Sequence, residues 1–227
     1  MQLQILYEDN HLIAVNKPAG YLVQGDETGD ATVADAIKQY IKLQYNKPGE
    51  VFLGVIHRLD RPVSGVLLYA RTSKGLARMN ELFKARKVEK TYWAVVSEQP
   101  KELEGELVHY ISKDKERNRS KAFDFQSRRA TGAKKAELRY QLKARLGGHV
   151  LLEVKPKTGR PHQIRVQLSK IGLPIRGDVK YGAPATNRDG SIHLHSRSLA
   201  FVHPVKQEPV YIEADPPVED IWNLFGE

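Results

Sequence analysis

The stretch from Val55 to Leu67 contains a single carboxylate, Asp60, in a polar loop between two apolar, β-branched runs. Arg58 and Arg61 flank this aspartate, and strand-like runs on both sides would hold the loop on a rigid frame, which is typical of catalytic groups. Nearby positive charges favour the ionised form of a carboxylate, so the pattern predicts a nucleophile or a base at Asp60. The alternative is an aspartate that only caps a turn and pairs with an arginine.

A second concentration of functional groups lies in segment 155–165. Thr158, Gly159 and the start of the helix that follows are predicted to offer free backbone amides to an anion. Arg160 and Arg165 add planar, charge-assisted donors suited to phosphate or carboxylate, and Arg165 could instead pair with Asp60. The alternative is a charged helix N-terminus with no ligand.

Tyr92 lies in an apolar run that predicts a strand, where most aromatic side chains are core residues. If it faces a cleft, it could stack on a nucleobase or move a proton. A zinc site is the corresponding hypothesis for His193, His195 and His203, but no cysteine or matching carboxylate motif accompanies them. We therefore predict no metal site.

Two hydrolytic mechanisms are also compatible with isolated parts of the sequence. Ser64, His57 and Asp60 contain the functional groups of a catalytic triad, but residues so close in one loop rarely reach the alignment that a triad needs. A glycosidase-like hydrolase usually needs two carboxylates, and only Asp60 is placed convincingly.

Composition limits the function classes further. The chain has 227 residues, a formal net charge of +9 and 41% hydrophobic residues, as expected of a folded globular protein. It contains no cysteine, which excludes disulfides, thiolate zinc sites and cysteine nucleophiles. The N-terminus lacks the pattern of a signal peptide, and no apolar run approaches the roughly 18 residues of a membrane span. We therefore expect a cytoplasmic protein.

The positive charge is concentrated in one part of the chain. Segment 111–145 contains 12 Lys/Arg and 4 Asp/Glu, which gives +8 of the net +9. Such clustering suits a polyanion such as nucleic acid, although a solvated charged face is the plainer explanation. The candidate RNA contacts within it are Lys121, Arg128 and Arg129.

Hydrophobic periodicity predicts many strands and few helices. Alternating apolar residues over 136–144 predict a half-buried strand, which Gly147 and Gly148 should turn into a hairpin with His149–Val154. Thr32 and Asp35 resemble a capping box that starts a helix running to about Gln44. A second helix is expected with Thr72 or Ser73 as its N-cap, and a third from Pro161 to Gly172.

The order of these elements shows no βαβ rhythm. The sequence therefore predicts an α+β fold with a mixed, mostly antiparallel sheet core and flanking helices. We expect one domain over residues 1–227, with a basic irregular segment at about 111–135. On the third helix, His162, Arg165 and Ser169 should share one face.

Six motifs in a fixed order then point to a family. The chain resembles the RluA-type pseudouridine synthases over most of its length. The resemblance is carried by NKPAG at 16–20, HRLDRPVSG at 57–65, EKTYWAVV at 89–96, LEVKPKTGRPHQIRVQL at 152–168, GLPIRGDVKYG at 172–182 and LHSRSLAFVHP at 194–204.

The resemblance implies conversion of uridine to pseudouridine in ribosomal or transfer RNA, without metal or organic cofactor. Asp60 matches the family's catalytic aspartate, and Arg165 the arginine that pairs with it. Tyr92 matches the tyrosine that contacts the target base, and Arg58 the arginine that fills the gap left by the extracted nucleotide. The remaining residues expected to contact substrate are His57, Arg61, Lys17, Lys90, Arg160 and His162.

Two departures from the family pattern bear on function. Val63 stands where the family usually has threonine, which removes a hydroxyl from the loop but not the attacking group. The chain also starts directly at the catalytic domain, so RNA affinity is expected to come from this domain and its basic segment. We expect a monomer. A catalytically silent RNA-binding or assembly factor with the same fold is the alternative function.

Overall fold

The computed structural model describes residues 3–27, 29–126 and 130–225. The chain divides into two compact units: unit 1 comprises Met1–Glu89 and Ser196–Pro217, and unit 2 comprises Lys90–His195 and Val218–Glu227. The Asp60 loop therefore belongs to unit 1, whereas Tyr92 belongs to unit 2 with segment 155–165. The single domain expected from the sequence stays a prediction.

Strands outnumber helices, which confirms the predicted α+β class. The strands are β1 (Gln4–Glu8), β2 (Leu12–Lys17), β3 (Gly54–Val55), β4 (Ser64–Ala70), β5 (Glu89–Val96), β6 (Glu104–Asp114), β7 (Arg119–Phe123), β8 (Lys134–Leu146), β9 (His149–Pro156), β10 (Leu194–Val202) and β11 (Pro209–Glu213). The helices are α1 (Val33–Gln44), α2 (Ser73–Lys84), α3 (Gln163–Lys170) and α4 (Asp220–Asn223), with a 3-10 turn at Val179–Tyr181.

In unit 1 the strands follow the order β1-β2-β4-β10, with β3 beside β4 and β11 beside β10. The pairs β1–β2, β2–β4, β3–β4 and β10–β11 are antiparallel. Every residue of β4 is buried, and α2 packs Met79 against Leu12, Leu68 and Leu199. Because Lys17 is in register with Gly65, the last residue of β2 lies beside the start of β4, directly after the Asp60 loop.

The helix starts in unit 1 follow the predicted caps. Thr32 and Asp35 form a complete capping box at the start of α1, and the side chain of Thr72 caps α2 by accepting from the Gly75 amide. These bonds satisfy amides that the first helical turn leaves unpaired. Among residues 3–27, 29–126 and 130–225, no helix has both the length and the apolar composition of a membrane span.

In unit 2 the strand order is β5-β9-β8-β6-β7, and every neighbouring pair in this series is antiparallel. The predicted hairpin joins β8 to β9 through Gly147 and Gly148, both of which have positive φ. Helix α3 packs Val166 against Ile111 and Ala136 on one face of this sheet.

The basic segment is more regular than the sequence predicted. Its first part is the β6–β7 hairpin, with Ile111 opposite Ala122 and Ser112 opposite Lys121. The alternation of apolar and polar residues that predicts a strand is absent from β7, because the polar Ser120 occupies a buried position there. Its amide donates to the hydroxyl of Tyr181 and its own hydroxyl donates to the Pro161 carbonyl, which offsets the cost of burial.

Candidate functional site

The Asp60 loop turns sharply between buried anchors. The Val63 amide donates to the Asp60 carbonyl at 3.0 Å, and both Leu59 and Val63 are buried, whereas Asp60 itself is half-buried. The loop ends at Gly65, whose φ is +111°, and a Cβ there would lie 2.3 Å from the Ser196 carbonyl oxygen. Only glycine fits this close approach, which fixes where the loop enters β4.

A second turn, residues Lys17 to Gly20, is tied to this loop. The Gly20 amide donates to the Arg61 carbonyl at 2.8 Å, and Arg61 Nε donates back to the Gly20 carbonyl at 2.8 Å. Lys17 Nζ donates to the carbonyls of Pro18, at 2.9 Å, and Arg61, at 3.2 Å. The backbone next to Asp60 is therefore held from two sides by the NKPAG motif.

Lys17 is completely buried, so the structure corrects its assignment as an RNA contact. Burial lowers the pKa of Lys17 to about 7, while the negative charge of Asp60 acts in the opposite direction and Arg61 lowers it further. Lys17 thus places a buried ammonium group near Asp60. The bond from its Nζ to the Arg61 carbonyl holds the loop from inside the protein.

Replacing Lys17 with methionine should change the pH dependence of stability. In wild type, the folded state releases the Lys17 proton near pH 7, whereas the unfolded state keeps it up to the ordinary pKa of 10.5. Because the unfolded state binds more protons in this window, wild-type stability should rise relative to Lys17→Met between about pH 7 and 10, by at most about 1.4 kcal/mol per pH unit.

Urea unfolding of both proteins across this pH range measures the difference. The exposed Lys74 provides the matched control, because Lys74→Met removes the same charge from the surface of α2. Parallel stability curves for wild type and Lys17→Met would contradict the shifted pKa.

The other loop residues differ in what they can offer a substrate. Arg58 is exposed, and Arg61, also exposed, pairs with Asp30 at 2.9 Å. His57 Nε2 accepts from the Leu68 amide at 3.0 Å, and its ring stacks on Phe83. A neutral imidazole has one acceptor nitrogen, so this bond leaves His57 unable to serve as the base of a triad.

In unit 2, Tyr92 lies on β5 opposite Val154 of β9 and is half-buried. Lys90, two residues earlier, is partly buried, and its Nζ donates to the Thr158 carbonyl at 3.4 Å. This contact anchors Lys90 to the loop before α3. The structure thus places two of the predicted residues beside segment 155–165.

Two backbone amides of that segment already have partners within the protein and are not free for an anion. The Thr158 amide already donates to the Glu137 carbonyl, and the Arg160 amide donates to Gln163 Oε1 at 2.9 Å. The same Gln163 oxygen accepts from Thr158 Oγ1 at 2.8 Å. Arg160 Nε donates to the Lys135 carbonyl at 3.0 Å, so its guanidinium also braces the sheet.

Helix α3 begins at Gln163, two residues later than predicted, with His162 as N-cap in the left-handed region at φ 52°. The chain can turn there because the Gln163 side chain bonds back to the preceding loop. His162 Nδ1 lies 2.7 Å from the Tyr181 hydroxyl. The Ser169 hydroxyl donates to the Tyr181 carbonyl, and the Arg165 guanidinium packs on the Tyr181 ring. His162, Arg165 and Ser169 therefore share one face, as predicted.

Arg165 is almost fully buried and pairs with a residue that sequence reasoning missed. Its Nε donates to Asp178 Oδ2 at 2.7 Å and its Nη2 donates to Oδ1 at 2.9 Å. Asp178 lies in the GLPIRGDVKYG motif at 172–182. The resemblance of this motif to the family pattern was the available signal. The arrangement gives a charged, planar group of fixed orientation.

The three histidines considered for zinc have other partners. His193 contacts Glu219 at 2.9 Å, and His203 contacts Asp9 at 3.0 Å. The ring of His195 packs edge-on against Trp222. In the part of the chain that the structure describes, no group of three or more histidine, cysteine or acidic side chains is arranged to hold a metal ion.

Among the basic residues expected to contact RNA, Lys121 is exposed on β7. Arg128 and Arg129 lie outside the described residues. Farther along the sheet, Lys135 pairs with Glu137 at 2.8 Å and Arg139 pairs with Glu106 at 3.5 Å. Part of the predicted basic surface is therefore neutralised by glutamates on the same sheet.

Comparison with known proteins identifies relatives across both units. Residues 11–170 match the family model described as RNA pseudouridylate synthase. The tRNA pseudouridine synthase C of Haemophilus ducreyi is 36% identical over 240 residues, which covers 100% of this chain and 97% of the relative. The solved structure of human RNA Pseudouridylate Synthase Domain Containing 4 is 27% identical, with a TM-score of 0.79 and coverage of 98% and 92%.

Other relatives are longer. The ribosomal large subunit pseudouridine synthase C of Buchnera aphidicola is 33% identical over 218 residues, which covers 93% of this chain but 66% of the relative. The corresponding synthase D of Xanthomonas campestris is 33% identical over 238 residues, with coverage of 99% and 69%. The chain therefore spans about two thirds of the ribosomal enzymes that it matches.

Proposed function

Because the chain belongs to the RNA pseudouridylate synthase family, we propose that it isomerises specific uridines of RNA to pseudouridine. In this reaction the N1–C1′ glycosidic bond breaks and a C5–C1′ bond forms. The uracil ring loses the proton at C5 and gains one at N1, so the product is an isomer of the substrate. The balance requires no metal, redox partner or organic cofactor.

The observation that carries the proposal is the construction of the Asp60 loop. Asp60 is half-buried on a turn whose neighbouring carbonyl is held by Lys17 and Gly20, and whose exit is fixed at Gly65. Such restraint supports a nucleophile that must meet a reacting atom in one geometry. We assign Asp60 the attacking role, at the ribose C1′ or at the uracil ring.

Base flipping follows from the chemistry. A base cannot be detached, turned and rejoined through carbon inside a helical stack, so it must leave the stack at a cost of a few kcal/mol. Arg58 is exposed next to the loop and is proposed to offset part of this cost by filling the gap and contacting phosphate. Holding the detached base close to the sugar would make rejoining fast.

Tyr92 and Arg165 complete the proposed set of catalytic residues. Tyr92 is assigned to contact with the target base and to proton transfer. Arg165 is assigned to the chemical step, in which its fixed positive charge can stabilise developing negative charge. The fixed Arg165–Asp178 geometry supports this assignment because preorganised charges act without rearrangement during reaction.

The substrate is proposed to be transfer RNA or ribosomal RNA, since the relatives named above include synthases for both. We propose that the protein acts in the cytoplasm, as a monomer.

The lengths of the relatives bear on the choice of RNA substrate. Among the named relatives, the Haemophilus enzyme, a tRNA pseudouridine synthase, agrees in length with this chain, whereas the ribosomal enzymes extend beyond it. Both RNA classes therefore belong in the assay.

The test is release of tritium from RNA labelled at C5 of uridine, combined with nucleoside analysis of the product. The proposal predicts tritium release with a matching amount of pseudouridine. Release of free uracil would indicate hydrolysis instead. Binding without release, from either transfer or ribosomal RNA, would overturn the proposal in favour of an RNA-binding factor.

Neutralising the β6–β7 hairpin should weaken RNA binding mainly through its electrostatic component. Lys113, Lys115 and Lys121 are exposed on this hairpin. Changing all three to glutamine should lower affinity and flatten the plot of log affinity against log salt, by about 0.7 for each phosphate of single-stranded RNA that the hairpin no longer neutralises.

The matched control changes three exposed lysines of unit 1, Lys74, Lys84 and Lys87, to glutamine. Both variants lose the same net charge, so long-range attraction falls equally and only direct contacts differ. Filter binding from low to moderate salt gives the slopes. Equal slopes for the hairpin variant and the control would make the hairpin ordinary surface.

A further inference from the structure

Asp178 holds one whole edge of the Arg165 guanidinium. Both side chains are buried, with relative exposures of 5% for Arg165 and 1% for Asp178. The two bonds, 2.7 Å from Nε and 2.9 Å from Nη2, form the parallel fork that fixes the plane of the guanidinium as well as its position. The Nη1 edge then points in a direction that Asp178 determines.

Tyr181 restrains the same group from its face. The guanidinium carbon of Arg165 lies 5.0 Å from the centroid of the Tyr181 ring. The ring is itself fixed, because its hydroxyl accepts from the Ser120 amide at 2.8 Å and lies 2.7 Å from His162 Nδ1. Burial raises the pKa of Tyr181, so its hydroxyl stays protonated and the ring carries no charge beside Arg165.

Asp178 sits on a rigid turn. Its amide donates to the Ile175 carbonyl at 3.0 Å, and its own carbonyl accepts from the amides of Tyr181 and Ala183. The carboxylate therefore has little freedom to follow Arg165 if the arginine moves. The arginine must instead follow the carboxylate.

Stability alone is a weak reason for such a pair. Buried ion pairs often contribute no more than apolar residues of similar volume, because removing two charges from water is costly. A buried, bidentate pair on a rigid turn is better explained by the need for one orientation of the guanidinium. Precise placement matters for turnover, since an error of 1 Å in a reacting group can cost about 10²-fold in rate.

We propose that Asp178 is a positioning residue that orients the guanidinium of Arg165 for the chemical step. The inference rests on the proposed function, in which Arg165 acts in turnover. It extends that function by assigning a role to the aspartate of the GLPIRGDVKYG motif. Asp178 acts through Arg165 and has no contact with substrate in this scheme.

The first test is Asp178→Asn. Asparagine has the same shape but cannot accept both guanidinium bonds, so Arg165 loses its fixed orientation. We expect kcat to fall by about 10²-fold, with KM changed less than about threefold because RNA binding uses other residues. Steady-state tritium release over a range of RNA concentrations separates the two constants. A kcat within twofold of wild type would overturn the proposal.

Asp178→Glu keeps the charge and therefore tests the position of the carboxylate separately from its charge. If Asp178→Asn does not fold at the assay temperature, this variant decides the question. We expect a melting temperature near that of wild type and a kcat at least about tenfold lower, because the longer side chain displaces the guanidinium. Wild-type kcat in Asp178→Glu would show that only charge neutralisation matters, and would contradict positioning.

The matched control is Glu219→Gln in the same unit. Glu219 also bonds a buried partner, His193, and caps Trp222 through its carboxylate, so this variant reports the effect of removing a carboxylate from a buried partner elsewhere. We expect kcat near wild type. A decrease equal to that of Asp178→Asn would indicate a general structural effect and overturn the proposal.

Combining Asp178→Asn with Arg165→Lys tests whether Asp178 acts through Arg165. Residues that act as one unit are non-additive, so Asp178→Asn should lower kcat by less than about threefold in the Arg165→Lys background. Full additivity would reject the proposal. If the wild-type protein formed no pseudouridine, the proposed function itself would be rejected. Failure of the Asp178 proposal and failure of the proposed function therefore give different results.

Discussion

Asp60→Asn is expected to abolish pseudouridine formation, with a fall in single-turnover rate of about 10⁴-fold or more, as is typical when a nucleophile is removed. Asparagine has nearly the size of aspartate, and its amide is a poor nucleophile. The loop should keep its shape, because its bonds run between the backbone of Arg61 and the Lys17–Gly20 turn rather than through the Asp60 carboxylate alone.

RNA affinity and thermal stability are the controls for this variant. Both should stay near wild type, since Asp60 is half-buried and Arg58 beside it is unchanged. Asp60→Ala should behave in the same way in the activity assay. Activity within tenfold of wild type in either variant would show that another group attacks, and a large fall in affinity would move Asp60 to substrate binding.

Arg165→Ala is expected to give the second largest effect. Removing the Arg165 guanidinium should lower turnover by about 10²- to 10³-fold, the range seen when one preorganised electrostatic group is removed. Affinity should fall much less, because Arg165 is buried and its Nε–Nη2 edge is bonded to Asp178. Truncation also leaves the buried Asp178 carboxylate without this arginine, which is expected to destabilise the protein by about 3–5 kcal/mol.

Arg165→Lys separates chemistry from that decrease in stability. Lysine keeps a positive charge for Asp178 but cannot reproduce the planar fork, so the protein should be more stable than Arg165→Ala and still turn over slowly. Binding isotherms and single-turnover rates on the same RNA give the comparison. A variant that loses affinity but keeps the wild-type rate would place Arg165 on phosphate.

The sequence predicted the parts of the fold that depend on local rules. The capping box at Thr32, the cap at Thr72 and the hairpin at Gly147 were confirmed, because each depends on residues within a few positions of one another. Hydrophobic alternation also placed β8 correctly. The β6–β7 hairpin was missed because buried Ser120 interrupts the apolar pattern and only its distant partners explain it.

Long-range pairings in the site were not predictable from one sequence. Lysine is rarely buried without a partner, so its usual surface role was assigned to Lys17. Its actual carbonyl partner at Arg61 lies 44 residues away, across the pairing of β2 with β4. Asp178, the partner of Arg165, is separated from it by a loop. The geometry of this loop cannot be predicted from the spacing of apolar residues. Residue types indicated the chemistry, whereas tertiary structure decided which groups are buried.

The most direct test of Asp60 as the catalytic group is add-back to RNA from cells that lack the gene. Pseudouridine mapping of total RNA would first identify the positions that disappear in the deletion strain. Purified wild-type protein should restore those positions in the isolated RNA, and Asp60→Asn at equal concentration should restore none. Restoration by Asp60→Asn, or no restoration by wild type, would contradict the account.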